Sequence, residues 1–106
     1  MLSYRLVALA LLAVASSGCV SMKTVQGQAV ARLDSTKSVA EFAECVSEAL
    51  SAPVQTGDGL TFIYLKNAAG IGVTRWDFLH TSSGSQAELR TDDPDRTGIE
   101  AVRRCT

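Results

Sequence analysis

The chain has 106 residues, of which 46% are hydrophobic and 20% charged, and its formal net charge is −1 at pH 7. This length allows one small domain. The near-neutral charge and scattered basic residues exclude the basic surface that nucleic acid or an anionic membrane would require.

The first residues have the pattern of a secretory signal. Arg5 precedes an apolar run, Leu6–Ala15, and three small residues (16–18) then lead to Cys19. The run is too short to span a bilayer, because a transmembrane helix needs about 20 apolar residues. We therefore predict that residues 1–18 form a signal peptide, whose removal leaves 88 residues.

The end of this segment, Ser16-Ser17-Gly18-Cys19, resembles the lipobox of bacterial lipoproteins. The resemblance implies that Cys19 carries fatty acid, such as palmitate, and becomes the first residue of the mature protein. Several acyl chains would anchor it firmly, since each buried CH₂ contributes about 0.8 kcal/mol. Val20, rather than an aspartate, follows this cysteine. In a two-membrane bacterium this implies the outer membrane, with the domain facing the periplasm.

A second cleavage site remains open. Ser16 stands where lipoproteins usually have leucine, and Ala13-Val14-Ala15 is an A-x-A site. Cleavage after Ala15 would release a soluble protein in which Cys19 is an ordinary thiol. If the source has a single membrane, the distinction between inner and outer membrane does not arise.

Residues 19–37 are interpreted as the lipidated cysteine and a polar tether, although Val25, Val30 and Leu33 leave room for a short docked element. The folded domain is expected over residues 38–106. It opens with the capping box Ser38-Val39-Ala40-Glu41, which predicts the start of a helix. The helical spacing of apolar residues then continues to Leu50.

Three strand-like runs follow, at Leu60–Leu65, about Ile71–Thr81 and Gln86–Thr91. Their short connections predict a three-stranded antiparallel meander. A second capping box, Thr97-Gly98-Ile99-Glu100, predicts a short final helix. The expected fold class is therefore α+β, in the order α-β-β-β-α.

Cys45 and Cys105 lie on or beside the apolar faces of the two predicted helices. Lipidation of Cys19 would leave these two cysteines to pair in an oxidising compartment, so we predict a disulfide. The alternative is two buried free thiols. The bond would hold both helices on one face of the sheet.

The opposite face of the sheet would then lack a cover. If Phe62, Trp76 and Phe78 face the helices, strand alternation assigns four apolar residues to this uncovered face: Ile63, Leu65, Val73 and Leu79. Exposed apolar clusters are typical of contact surfaces. We expect these residues to contact a protein partner, unless the tether folds back over them or a bulge changes the alternation.

No catalytic residue, metal site or cofactor is predicted. His80 has Asp77, Ser82 and Ser83 nearby, but neighbours on one strand and its turn do not meet as a triad. The aspartates after the third run lack the glycine and terminal glutamate of a calcium loop.

The function expected from these observations is non-enzymatic. We expect an outer-membrane lipoprotein that binds a protein in the periplasm or helps an envelope assembly. The alternative is a small inhibitor or immunity protein that blocks a secreted hydrolase with a loop such as Lys66–Gly72.

The processing prediction can be tested by metabolic labelling with a fatty acid. The protein should carry the label, and Cys19→Ser should abolish it, because the acylated thiol is then missing. A mature N-terminus at Ser16, found by mass spectrometry, would instead support cleavage after Ala15.

Overall fold

The computed structural model describes residues 29–106, so Cys19 and the signal segment lie outside the described residues. The elements are, in chain order, β1 (Ala31–Ser35), α1 (Val39–Leu50), β2 (Gln55–Gly57), β3 (Leu60–Lys66), β4 (Gly72–Thr81), β5 (Gly84–Thr91) and α2 (Ile99–Cys105). None of the helices in this range is long and apolar enough to cross a membrane.

The five strands form one antiparallel sheet in the order β1-β5-β4-β3-β2. The predicted α+β class and the β3-β4-β5 meander are present, but the sheet has five strands and not the predicted three. β1 extends one edge of the meander and β2 extends the other. Residues 31–35, which the sequence places in the tether, therefore belong to the folded domain as β1.

β2 and β3 form a hairpin around Asp58 and Gly59. Both residues have positive φ angles, 53° and 76°, as the tight turn of a two-residue hairpin requires. Gly57 pairs with Leu60 directly across this turn. Asp-Gly is a strong hairpin signal, so this turn was the clue to the missed strand β2.

The predicted start of α1 is confirmed, with Ser38 as its N-cap. The Ser38 hydroxyl accepts a hydrogen bond from the amide of Glu41 and donates one to the Glu41 carboxylate. The helix ends at Leu50, and its C-cap Ser51 adopts the left-handed conformation with φ 51°. Its buried residues lie on one face, as predicted: Val39, Phe42, Ala43 and Val46.

The start of α2 differs in detail from the predicted capping box. The helix is capped by Gly98, with φ 69°, rather than by Thr97. The carbonyl of Thr97 instead accepts a hydrogen bond of 2.7 Å from Nε1 of Trp76. This bond satisfies the one polar atom of the buried indole and ties α2 to the centre of β4.

Both helices pack on the same face of the sheet around a single core. Its largest fully buried apolar side chains come from both helices and from β3 and β4: Phe42, Val46, Ile63, Trp76 and Val102. The rings of Phe42 and Phe78 meet edge to face, with centroids 5.2 Å apart. The predicted disulfide is confirmed, because Cys45 of α1 is bonded to Cys105 of α2.

Removal of the disulfide should destabilise the domain strongly. The two cysteines are 60 residues apart in sequence, and closing a loop of this length contributes about 4 kcal/mol in the chain-entropy model. The double change Cys45→Ala and Cys105→Ala should therefore lower the urea unfolding midpoint. Reduction of the unchanged protein is the matched control and should lower it similarly. An unchanged midpoint in both would contradict the prediction.

Candidate functional site: the outer face of the sheet

The side of the sheet turned away from the helices is called the outer face here. Prediction of this face was wrong for Ile63 and Leu65. Ile63 lies opposite Trp76 and is fully buried under the helices, while Leu65 lies opposite Thr74 and packs against the core. Val73 and Leu79 do alternate onto the outer face, where both are half-buried.

The error concerns only which alternate side chains of β3 face the helices. Because Thr61 pairs with Phe78, the odd-numbered residues of β3 share a face with the even-numbered residues of β4. Phe62 and Tyr64 therefore lie on the outer face, although Phe62 was expected under the helices. Residues 62–65 at the centre of β3, Phe-Ile-Tyr-Leu, are all apolar or aromatic, so the sequence does not reveal which of them face the helices before the pairing register is known.

A chain of ion pairs crosses the outer face from β4 to β1. Nε of Arg75 lies 2.7 Å from Oδ1 of Asp77, whose Oδ2 lies 2.6 Å from Nη1 of Arg90. Nη2 of Arg90 is 3.0 Å from Oε2 of Glu88, and Nε of Arg32 is 3.4 Å from Oε1 of Glu88. Asp77 is buried, whereas the Arg32 side chain at the sheet edge is 57% exposed.

Two aromatic rings of β3 hold the guanidinium of Arg75. Its central carbon lies 4.2 Å from the ring centroid of Phe62 and 5.5 Å from that of Tyr64. Nη1 also donates a hydrogen bond of 3.1 Å to the Tyr64 hydroxyl. Burial by itself would lower the pKa of Arg75, but hydrogen bonds to Asp77 and Tyr64 and the charge of Asp77 raise it. Arg75 is therefore a fixed cation.

An open groove of about 390 Å³ borders this cluster at the β2–β3 hairpin. Leu60, which is 37% exposed, contributes an apolar wall, and the ring of Phe62 contributes another. Arg75, Asp77 and Arg90 line the groove as well. The groove therefore combines apolar contact with rigid charged groups, which suits the recognition of a side chain from another protein.

A second hollow, of about 540 Å³, lies on the helix side of the sheet, beside the first turns of α1. Val54 and His80 are among its lining residues. Val54 is 40% exposed. Nothing in the sequence pattern indicated this hollow, because it arises where α1 leaves the β2 side of the sheet uncovered.

The residues considered for a triad do not come together. His80 is exposed and alternates to the helix side of β4, whereas Asp77 lies on the outer face in contact with Arg75 and Arg90. The acidic loop has a local role, since Asp93 accepts from the amide of Asp95 and pairs with Arg96. Within residues 29–106, no group of three His, Cys, Asp or Glu side chains is placed to hold a metal ion.

The loop between β3 and β4 is ordered by one side chain. Oδ1 of Asn67 accepts hydrogen bonds of 3.0 Å from the amides of Ala69 and Ile71. The amide of Asn67 in turn donates to the carbonyl of Ile71. These bonds present Ile71, which is 61% exposed, in a fixed position at the end of the sheet.

Loss of the shared carboxylate should destabilise the outer face. Asp77→Asn removes the carboxylate charge that pairs with the partly buried Arg75, while Arg90 keeps its ion pair with Glu88. We expect this to cost about 1–3 kcal/mol of unfolding free energy, because a partly buried charge that loses its partner is unfavourable. The matched control is Arg103→Gln, which breaks an exposed ion pair with Glu100 and should change stability by less than about 0.5 kcal/mol. Equal effects in urea unfolding would contradict the prediction.

Comparison with known proteins found no match to a protein-family model, to a curated protein or to a solved structure. The outer face is therefore interpreted from its own side chains and their geometry.

Proposed function

We propose that this protein is a lipid-anchored, non-enzymatic domain of the bacterial outer membrane that binds a protein partner in the periplasm through its outer face. The lipobox-like sequence ending at Cys19 supports the anchor. The observation that carries the binding role is the cluster of Phe62, Tyr64 and Arg75 beside an open groove, on a face that no described helix covers.

The residue types and their rigidity favour this role. Arginine and aromatic residues are enriched at the centres of protein interfaces, where they contribute much of the binding energy. Arg75 is already held by Asp77 and by two rings before any partner arrives. Binding would therefore cost little side-chain entropy at this point.

The alternative, an inhibitor or immunity protein, is favoured by a separate observation. Ile71 is an exposed apolar residue on a loop that Asn67 holds in one conformation. A loop that is fixed before binding can enter a cleft with little ordering cost. The two functions thus use different surfaces of the same domain.

Site-specific crosslinking in intact envelopes separates these surfaces. A photoreactive amino acid is placed at Leu60 on the outer face, at Ile71 on the loop, or at Glu48 on the exposed side of α1 as the background control. We expect a discrete protein adduct from position 60 that is absent from position 48. An adduct only from position 71 would favour the inhibitor, and equal adducts from all three would contradict both functions.

A matched pair of charge substitutions tests whether the outer face is required. Leu60→Asp and Val54→Asp alter residues of similar exposure, 37% and 40%, on opposite sides of the sheet. Both should melt within a few degrees of the unchanged protein, because surface changes usually shift stability by about 0.5 kcal/mol or less. Only Leu60→Asp should reduce an adduct formed from a probe at Leu79. If the adduct persists in Leu60→Asp, the partner does not bind through the groove beside Leu60.

A further inference from the structure

The edge strand β1 has an unusual pattern of charge. It pairs with β5 on one side, and no strand of the described chain, residues 29–106, lies on its other side. Arg32 and Asp34 alternate onto the outer face, and Leu33 alternates to the helix side. An open strand edge is a template for pairing with another strand. Two opposite charges placed two residues apart then restrict which strand can pair there.

β1 is complementary to itself in one antiparallel register. If two copies of β1 pair about a two-fold axis through Leu33, Arg32 of each copy lies directly opposite Asp34 of the other. Residues directly opposite on antiparallel strands have Cβ atoms about 5 Å apart, so both pairs can form. The same operation places Ala31 opposite Ser35, which are small side chains, and Leu33 opposite itself.

The ion pairs of the outer face lead to the same edge. The alternating series from Arg75 through Glu88 ends at Arg32, the most exposed member. Asp34 accepts a hydrogen bond of 2.8 Å from Nε2 of Gln86 and is itself exposed. In the self-paired register, a carboxylate from the second copy would continue the series beyond Arg32. The series of ion pairs on the two copies would thereby join into a single network across the dimer.

On the helix side, the contacts of α2 with β1 lie near one end of the strand. α2 approaches β1 at its C-terminal end, where Ser35 donates to the carbonyl of Thr106 and Lys37 donates to that of Cys105. The two-fold axis through Leu33 would carry the second α2 to the opposite end of the paired strands. Leu33 already packs at the border of the core, so its contact with a second Leu33 would extend apolar burial across the axis.

We propose that the partner of this edge is a second copy of the same chain, paired through β1 in the antiparallel register centred on Leu33. The product is a two-fold symmetric dimer with a continuous sheet of ten strands, five from each copy. Such an interface uses the same patch on both subunits, as closed two-fold symmetry requires. Since β1 has only five residues, the dimer is small in area and dissociates reversibly.

Charge reversal tests the register. Two differently tagged forms of the full protein are coexpressed and solubilised in excess mild detergent, and recovery of one tag with the other is measured. The unchanged forms should copurify. Arg32→Asp in both forms sets carboxylates opposite each other, and Asp34→Arg in both sets guanidiniums opposite each other. Each should reduce recovery at least tenfold, and the doubly reversed chain, carrying both changes, should restore it.

The decisive copurification experiment combines the two single variants. A copy with Arg32→Asp and a copy with Asp34→Arg are complementary at both pairs, so they should copurify although neither associates with itself. Restored folding cannot explain this result, because each chain keeps its own substitution and its altered contacts with β5. Lys66→Asp makes the same charge change near the opposite edge of the sheet and should leave recovery unchanged.

Two results would overturn the proposal. One is copurification that is indifferent to the charges at positions 32 and 34. The other is the absence of copurification, with a monomeric mass by sedimentation at all concentrations, which would mean that another segment or no strand occupies the edge. The thermal melt of each variant is recorded as well: the register is supported when both single variants melt like the unchanged protein and copurify only with each other, whereas copurification of an unfolded variant would count against pairing through β1.

Discussion

The structure depends on the register that places Ile63 of β3 opposite Trp76 of β4. This pairing puts both residues beneath the helices and sends Phe62 and Tyr64 to the outer face, next to Arg75. A slip of one residue would reverse every side chain of β3. The core would then lose Ile63, and Arg75 would lose the two rings that hold its guanidinium. Core packing and the outer-face cluster are therefore set by the same set of backbone hydrogen bonds.

The ends of the domain are tied together around this centre. The disulfide joins α1 to α2, and the side chain of Lys37 donates to the carbonyl of Cys105 at 2.6 Å. Gly84 permits the close approach of β1 to the β4–β5 turn, because a Cβ built there would lie 2.3 Å from the carbonyl oxygen of Ser35, and its φ of 150° also favours glycine. A small core thus gains much of its rigidity from contacts between distant parts of the chain.

The outer face combines this rigidity with charge. Its arginines and carboxylates alternate across three strands, so most of the charges are compensated within the sheet. Although these charges are neutralised within the sheet, the surface can still be recognised specifically, because the planar guanidinium of Arg75 and the two rings beside it keep a defined shape. The edge of the same network at Arg32 is the point where compensation is least complete. The proposed partner surface around Arg75 and the proposed dimer edge at Arg32 and Asp34 therefore use different residues.

The sequence by itself determined the helix starting after Ser38, the three central strands and the α+β class, because caps and alternation are local signals. It predicted the pairing of Cys45 with Cys105 only once Cys19 was assigned to the lipid, since three cysteines leave the choice of pair open. Some further signals were present in it: Asp58-Gly59 for the β2 hairpin, and the charge-apolar-charge triplets at 32–34, 75–77 and 88–90 for one charged face. Only the tertiary structure decided that Ile63 and Leu65 lie inside, that β1 joins the sheet, and that Arg75 rests on Phe62 and Tyr64. The physical reason is that two properties depend on the neighbouring strands: which side chains of an apolar strand face the core, and whether a short segment joins the sheet edge as a strand. These neighbours are far away in the chain.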